Sequence, residues 1–188
     1  MGQRRFRNAG GIPSASDGMI EEPLEDYLSE LRDAIVGGCA FGGSCRPNHF
    51  LINEYRPMSG ISRHKDGPLY GGRVAILSLQ STCTLEFSPD KSSSRDEVTG
   101  VFLEPRSVLV FEGEAYWNWW HEICSRDHDI IDESLANIHL LPAHYQIGSK
   151  IVRKTRISLT LREVSNIQDP DRKFVTSTAE EEYMRKSR

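Results

Sequence analysis

Cysteine is scarce in this chain, and the four present, Cys39, Cys45, Cys83 and Cys124, include no Cys-x-x-Cys pair. That spacing argues against a zinc ribbon, and with no cleavable apolar leader ahead of them the cysteines read as reduced thiols of an intracellular protein, nuclear or cytoplasmic. No apolar run approaches the roughly eighteen residues a membrane span requires, so no membrane partner is expected. The start MGQRRF has Phe6 where a myristoylation signal needs Ser or Thr. An excess of positive charge is also missing. The net charge is -4, which argues against indiscriminate phosphate binding, because that affinity comes from many Lys and Arg acting together. Any contact with nucleic acid must therefore be local. Basic residues do cluster: Arg4, Arg5 and Arg7 near the start, and Lys150, Arg153, Lys154, Arg156 and Arg162 near the end, with the acidic stretch Glu21, Glu22, Glu25 and Asp26 between.

The length of 188 residues suits one core of ordinary size with tails. Residues 1–20, rich in Gly, Ser and Arg without a period, read as flexible loop. From Pro23 the pattern becomes helical, with Leu24, Tyr27, Leu28, Leu31, Ala34 and Ile35 on one face and Gly37 and Gly38 as the stop. After that only strands are predicted, over 49–56, 60–64, 73–81, 83–88, 99–104, 107–112, 116–123 and 150–164. Eight strands without alternating helices predict a mainly β (α+β) fold, an antiparallel double sheet of jelly-roll type with one N-terminal helix packed on it. Residues 21–164 would form that domain, and 165–188 a polar tail with room for a short surface helix. Two inserts interrupt the strands: the polar SPDKSSSRDEVTG and the mixed loop 124–149, which carries His128, His139 and His144 in solvated or loop-capping positions.

One short stretch, ISRHKDGPLY, suggests chemistry. In an extended chain His64 and Asp66 point to one side and Lys65 to the other. One imidazole and one carboxylate then converge on a common point. The stretch YWNWWHEI offers a third donor, His121, which strand alternation would put on one face with Trp117 and Trp119. Two histidines and one carboxylate on rigid strands form the facial triad that leaves open positions on Fe(II), although zinc accepts such ligands too. Taken alone, His-x-Asp is common by chance. In RISLTLR, alternation puts Arg156, Ser158, Thr160 and Arg162 on one face and Ile157, Leu159 and Leu161 on the other. The two arginines are then about 20 Å of strand apart, and buried guanidinium groups need anions. A short dicarboxylate between strand and metal would supply one. Asn53 and Tyr55, also sharing a face, could offer an amide and a phenol to it.

Asn53-x-Tyr55, His64-x-Asp66, His121 and the pair Arg156 and Arg162 follow the order and spacing of the AlkB family of Fe(II)- and 2-oxoglutarate-dependent dioxygenases. The segments NHFLINEYRPMSGISRHKDGPLY, LEPRSVLVFEGEAY and TRISLTLR resemble most the subgroup called AlkB homologue six, from about Phe41 to Glu163. The resemblance implies a double-stranded β-helix, with His64, Asp66 and His121 as iron ligands and catalytic residues. It implies Arg156 on the distal carboxylate of 2-oxoglutarate, helped by Tyr55 and Asn53, and Arg162 near the metal-proximal carboxylate or the substrate. It further implies O2 as cosubstrate, and oxidative demethylation of an alkylated base, with succinate, CO2 and formaldehyde as products. The partner would be single-stranded or damaged nucleic acid, and Tyr70, Trp119 and Trp120 could stack an unpaired base. Family members carry an N-terminal nucleotide-recognition lid; RRFRNAGG resembles only its end, so residues 1–20 read as a remnant of that lid. Two other functions stay open: an oxygenase acting on a protein side chain or metabolite, and a metal- and 2-oxoglutarate-binding module without turnover. Oligomeric state has no signature in the sequence.

Overall fold

A computed structural model describes residues 4–38 and 46–169. Its frame is a five-stranded sheet ordered β1-β3-β12-β5-β8, comprising β1 (Arg5–Ala9), β3 (His49–Tyr55), β5 (Tyr70–Leu79), β8 (Val108–Glu112) and β12 (Arg156–Val164). Facing it is a four-stranded sheet ordered β4-β9-β6-β7, with β4 (Ile61–His64), β6 (Cys83–Ser88), β7 (Thr99–Leu103) and β9 (Trp120–Ile123). All neighbours within these two sheets run antiparallel. Two small pairs complete the strands: β2 (Met19–Ile20) parallel with β13 (Ile167–Gln168), and β10 (His128–Ile130) antiparallel with β11 (Lys150–Val152). Two helices, α1 (Asp26–Gly38) and α2 (Glu114–Trp117), accompany them. The jelly roll expected from strand count is therefore the architecture found.

Alternation along each strand divides the apolar residues among three clusters. Val74 and Ile76 of β5 meet Cys83, Leu85 and Phe87 of β6 between the two sheets. Ala75 and Leu77 point the other way with Leu159 and Leu161 of β12, and α1 covers them with Leu28 and Ile35. This is why the apolar face of RISLTLR is turned away from the cavity: it lies under a helix. Leu28 is fully buried, and burying such a side chain stabilises by about 1.5–3 kcal/mol. The third cluster lies outside the smaller sheet, where Phe102 of β7 packs on Ile131 and Leu135.

Several boundaries differ from the sequence expectation. Residues 5–9, expected as loop, form the edge strand β1, which pairs with β3 from Arg5 opposite Glu54 to Ala9 opposite Phe50. The backbone hydrogen bonds of an open sheet edge override a composition poor in β-branched residues. The expected strand 150–164 is two strands, because Arg153 turns inward at the break between β11 and β12 to bind Asp129 through both Nε and Nη2 at 2.6 Å. Asp129 is fully buried and also accepts from Arg126 at 2.9 Å. The segment 124–149 is thus tied down by an ion-pair network and its own apolar cluster rather than being a plain loop. The expected strand 116–123 begins as α2 and becomes β9 only at Trp120. Gly72 allows this: at φ +77°, a Cβ there would lie 2.8 Å from the Trp117 ring, so only glycine lets that ring close on β5. Cys83 and Cys124 are free thiols; Cys39, Cys45 and the tail beyond Asp169 lie outside the described residues. Among the described residues no helix is long and apolar enough to cross a membrane.

Candidate metal and cosubstrate site

β4 and β9 pair antiparallel with His64 directly opposite His121, so both rings leave the smaller sheet on its inner face, 4.3 Å apart between centroids. Asp66 follows two residues after His64, where the chain leaves the strand into a turn at Gly67, φ +86°. The Tyr116 hydroxyl pins that turn by donating to the Gly67 carbonyl at 2.7 Å. One donor atom from each of His64, Asp66 and His121 can lie within 4.8 Å of the other two.

The hydrogen bonding around the three side chains suits a cation. His64 Nδ1 lies 2.8 Å from the Ser62 carbonyl; as a donor there it leaves Nε2 bare for a ligand bond. Burial, with His64 as the next cause, pulls the His121 imidazole down to about 4, so the ring is neutral at physiological pH. Its buried Nδ1 has no hydrogen-bond partner, and its ring is hemmed by Phe87 and Phe111. Asp66 Oδ1 accepts from Arg162 Nη2 at 2.5 Å, which orients the carboxylate and leaves its second oxygen free. Two imidazoles and one carboxylate, with one wall left partly open, fit a metal bound on one face.

A narrow cavity of about 60 Å³ runs between the sheets from this cluster. Asn53, Tyr55, Arg156, Ser158, Thr160 and Arg162 all line it, and each shows its inner face to it by the alternation of β3 and β12. Arg156 is only 3% exposed. Its Nη2 donates to Ser78 Oγ at 2.7 Å, while Nε and Nη1 have no partner. Its guanidinium carbon stands 5.5 Å from the centre of the Tyr55 ring. No salt bridge to Arg156 exists among the described residues, a costly state for a buried charge that a carboxylate ligand would relieve. Arg162 at the other end lies 4.5 Å over the Tyr70 ring, and its Nε and the buried Asn53 Oδ1 are likewise unpartnered.

The aromatic residues divide. Tyr70 forms a floor beneath Arg162 and stacks on His49 at 6.0 Å. Trp119 packs against the central cluster. Trp120 points outward, with Lys65 and Lys91 each 5.4 Å from its ring. Trp117, expected beside Trp119 and His121, is half exposed because the helical turn of α2 breaks the alternation. Three neighbours of the cavity escaped the sequence reading. Ser78 shares the inner face of β5 with Val74 and Ile76 and could have been found by alternation. His49, held near 4 by burial and then by the Arg162 charge, precedes the Asn53 and Tyr55 pair on the same face. Arg4 enters the cavity wall from the segment read as flexible, and no local signal marks it.

A second cluster, Glu86, Glu122 and Cys124, also has ligand spacing, but its carboxylates are taken. Glu86 binds Arg95 at 2.8 Å and Arg126 at 3.0 Å, and Glu122 binds Arg63 at 2.6 Å. The Cys124 thiol, pushed up to about 11 by burial and Glu86, is protonated at neutral pH and a poor ligand. It is an ion-pair network on the outer face of the smaller sheet.

Fold and site together define a double-stranded β-helix with a His, Asp, His cluster beside an arginine-ended cavity. The chain belongs to the 2OG-Fe(II) oxygenase superfamily, whose family profile matches residues 14–162, and within it to the AlkB type of dioxygenase, which uses Fe(II) and 2-oxoglutarate. It is 34% identical over 173 residues to the probable RNA/DNA demethylase ALKBH6 of Danio rerio, covering 87% of this chain and 72% of that protein. It is 28% identical over 148 residues to the tRNA (carboxymethyluridine(34)-5-O)-methyltransferase alkbh8 of Xenopus tropicalis, covering 77% of this chain but 23% of that protein. The solved structure of OsALKBH1 shares the fold at a TM-score of 0.51 and 19% identity, covering 85% of this chain and 78% of that one.

Proposed function

We propose that the chain oxidatively demethylates alkylated nucleic-acid bases, with His64, Asp66 and His121 as Fe(II) ligands and with Asn53, Tyr55, Arg156 and Arg162 holding 2-oxoglutarate. The observation that carries the assignment is the pairing of a three-donor cluster with a buried, anion-less arginine in one cavity. Iron, 2-oxoglutarate and O2 supply the oxidation, which yields succinate, CO2 and a hydroxylated C–H carbon; on an N-methyl group that product releases formaldehyde. The chain's part is to hold the reactants in register. Arg156 would hold the distal carboxylate through an N–H that Ser78 leaves free. Arg162 would hold the Asp66 carboxylate in its orientation toward the metal. Phe87, Phe111 and the central cluster keep water from the walls.

Nucleic acid as substrate is supported by the names of the two relatives above and by the local chemistry of Lys65, Lys91 and Trp120. A flipped base would have to reach the open side of His64 and Asp66. The chain with Fe(II), ascorbate and 2-oxoglutarate should turn methylated single-stranded oligonucleotides over, formaldehyde and succinate rising together. Binding of the oligonucleotide is expected to weaken as salt rises, with a slope set by the number of phosphates that the basic side chains neutralise. Succinate that forms with a methylated peptide or metabolite, and never with an oligonucleotide, would move the substrate to another class.

A further inference from the structure

β1 does more than extend the larger sheet. Its pairing puts Arg5 opposite Glu54 and Phe6 opposite Asn53, so one step further the register brings Arg4 opposite Tyr55 and onto the cavity side. Arg4 lines the cavity with Arg156 and Tyr55, its guanidinium 5.3 Å over the Phe6 ring. Across β1, β3 and β12 this makes a row of Arg4, Tyr55 and Arg156 at the end of the cavity far from Asp66 and Arg162. Hydrogen bonding from Arg4 also opposes the rise that burial imposes on the Tyr55 phenol. Among the described residues neither Arg4 nor Arg156 has a salt-bridge partner, and two N–H groups of Arg156, a 97% buried residue, are unpaired.

A carboxylate offers about four lone-pair sites. Nε–H and Nη1–H of Arg156 leave the guanidinium on different edges, so one carboxylate takes only one of them; with the Tyr55 hydroxyl that accounts for two sites and leaves room for a donor from Arg4, which lines the same cavity. We infer that Arg4 is a second cation for the distal carboxylate of 2-oxoglutarate, so that cosubstrate binding and the docking of β1 on β3 are coupled. This rests on the cosubstrate assignment made above. The N-terminal segment is then part of the cosubstrate site. By linkage, whatever holds β1 in place tightens cosubstrate binding, and bound cosubstrate holds β1 in place.

The test uses the full chain with Mn(II) in place of iron to prevent turnover. The dissociation constant of 2-oxoglutarate is measured by calorimetry, and amide exchange of residues 5–9 is followed with and without it. Arg4→Gln should weaken 2-oxoglutarate about ten- to a hundredfold, as the loss of a charge-assisted hydrogen bond predicts, with Mn(II) affinity unchanged. Arg4→Lys, which keeps the charge but not the fork, should fall between. Cosubstrate should slow exchange across β1 in the wild type and have much less effect in Arg4→Gln. Wild-type affinity in Arg4→Gln, with Arg156→Ala losing binding as a control, would overturn the role of Arg4 alone. Undiminished binding in Arg156→Ala would overturn the cosubstrate assignment and the role of Arg4 with it.

Discussion

Arg156→Ala is expected to weaken 2-oxoglutarate by roughly thirty- to several-thousandfold while the metal site stays intact. Truncating one member of a buried charge pair costs about 2–5 kcal/mol, and each 1.4 kcal/mol is about tenfold. The sign of the stability effect is the sharper test. In the protein without cosubstrate, Arg156 is a buried cation whose Nε and Nη1 bond to nothing, and such a group destabilises the fold it sits in. Its removal should therefore leave the melting temperature of the cosubstrate-free protein unchanged or higher. The rise in melting temperature produced by saturating 2-oxoglutarate should disappear. A large fall in the cosubstrate-free melting temperature would mean that Arg156 is a structural residue.

Asp66→Ala and His64→Ala should both lose iron, yet differ in stability. Asp66 is the salt-bridge partner of Arg162, with 4% and 9% of the two side chains exposed. Removing the carboxylate strands a buried guanidinium, at a cost of about 3–5 kcal/mol. For a domain of this size that lowers the melting temperature by roughly 6–20 °C. His64 has an intermediate exposure and its one protein hydrogen bond goes to a neighbouring carbonyl, so His64→Ala should melt close to the wild type. Iron content by absorption spectrometry and thermal melts of both variants separate the two effects. Equal stability would show that Arg162 finds another anion and is not committed to Asp66.

The parts of the site legible in the sequence are those that obey strand alternation. Asn53 and Tyr55, His64 and Asp66, and Arg156 and Arg162 were each read as same-face pairs, and β3, the end of β4 and β12 bring them to one cavity. For His121 the alternation with Trp117 fails at α2 and holds only from Trp120. Its inward position comes instead from pairing with His64 across β4 and β9. What the sequence hid was long-range. Nothing near Arg4 signals that residues 5–9 complete a sheet edge, because the partner strand lies more than forty residues on. Asp129 likewise has no visible purpose until Arg153 and Arg126 close on it. The helix was legible because its apolar face repeats within thirteen residues, whereas edge strands and buried ion pairs are decided by the rest of the fold.

The central claim is that one cavity holds a metal at the His64, Asp66 and His121 end and a dicarboxylate at the Arg156 end. The most direct measurement is the calorimetric affinity of the wild-type chain for 2-oxoglutarate with and without Mn(II), repeated in His121→Ala. The account predicts that Mn(II) tightens 2-oxoglutarate binding in the wild type, because the metal supplies a second anchor, and has no such effect once His121 is removed. An affinity for 2-oxoglutarate that is the same with and without metal would contradict it.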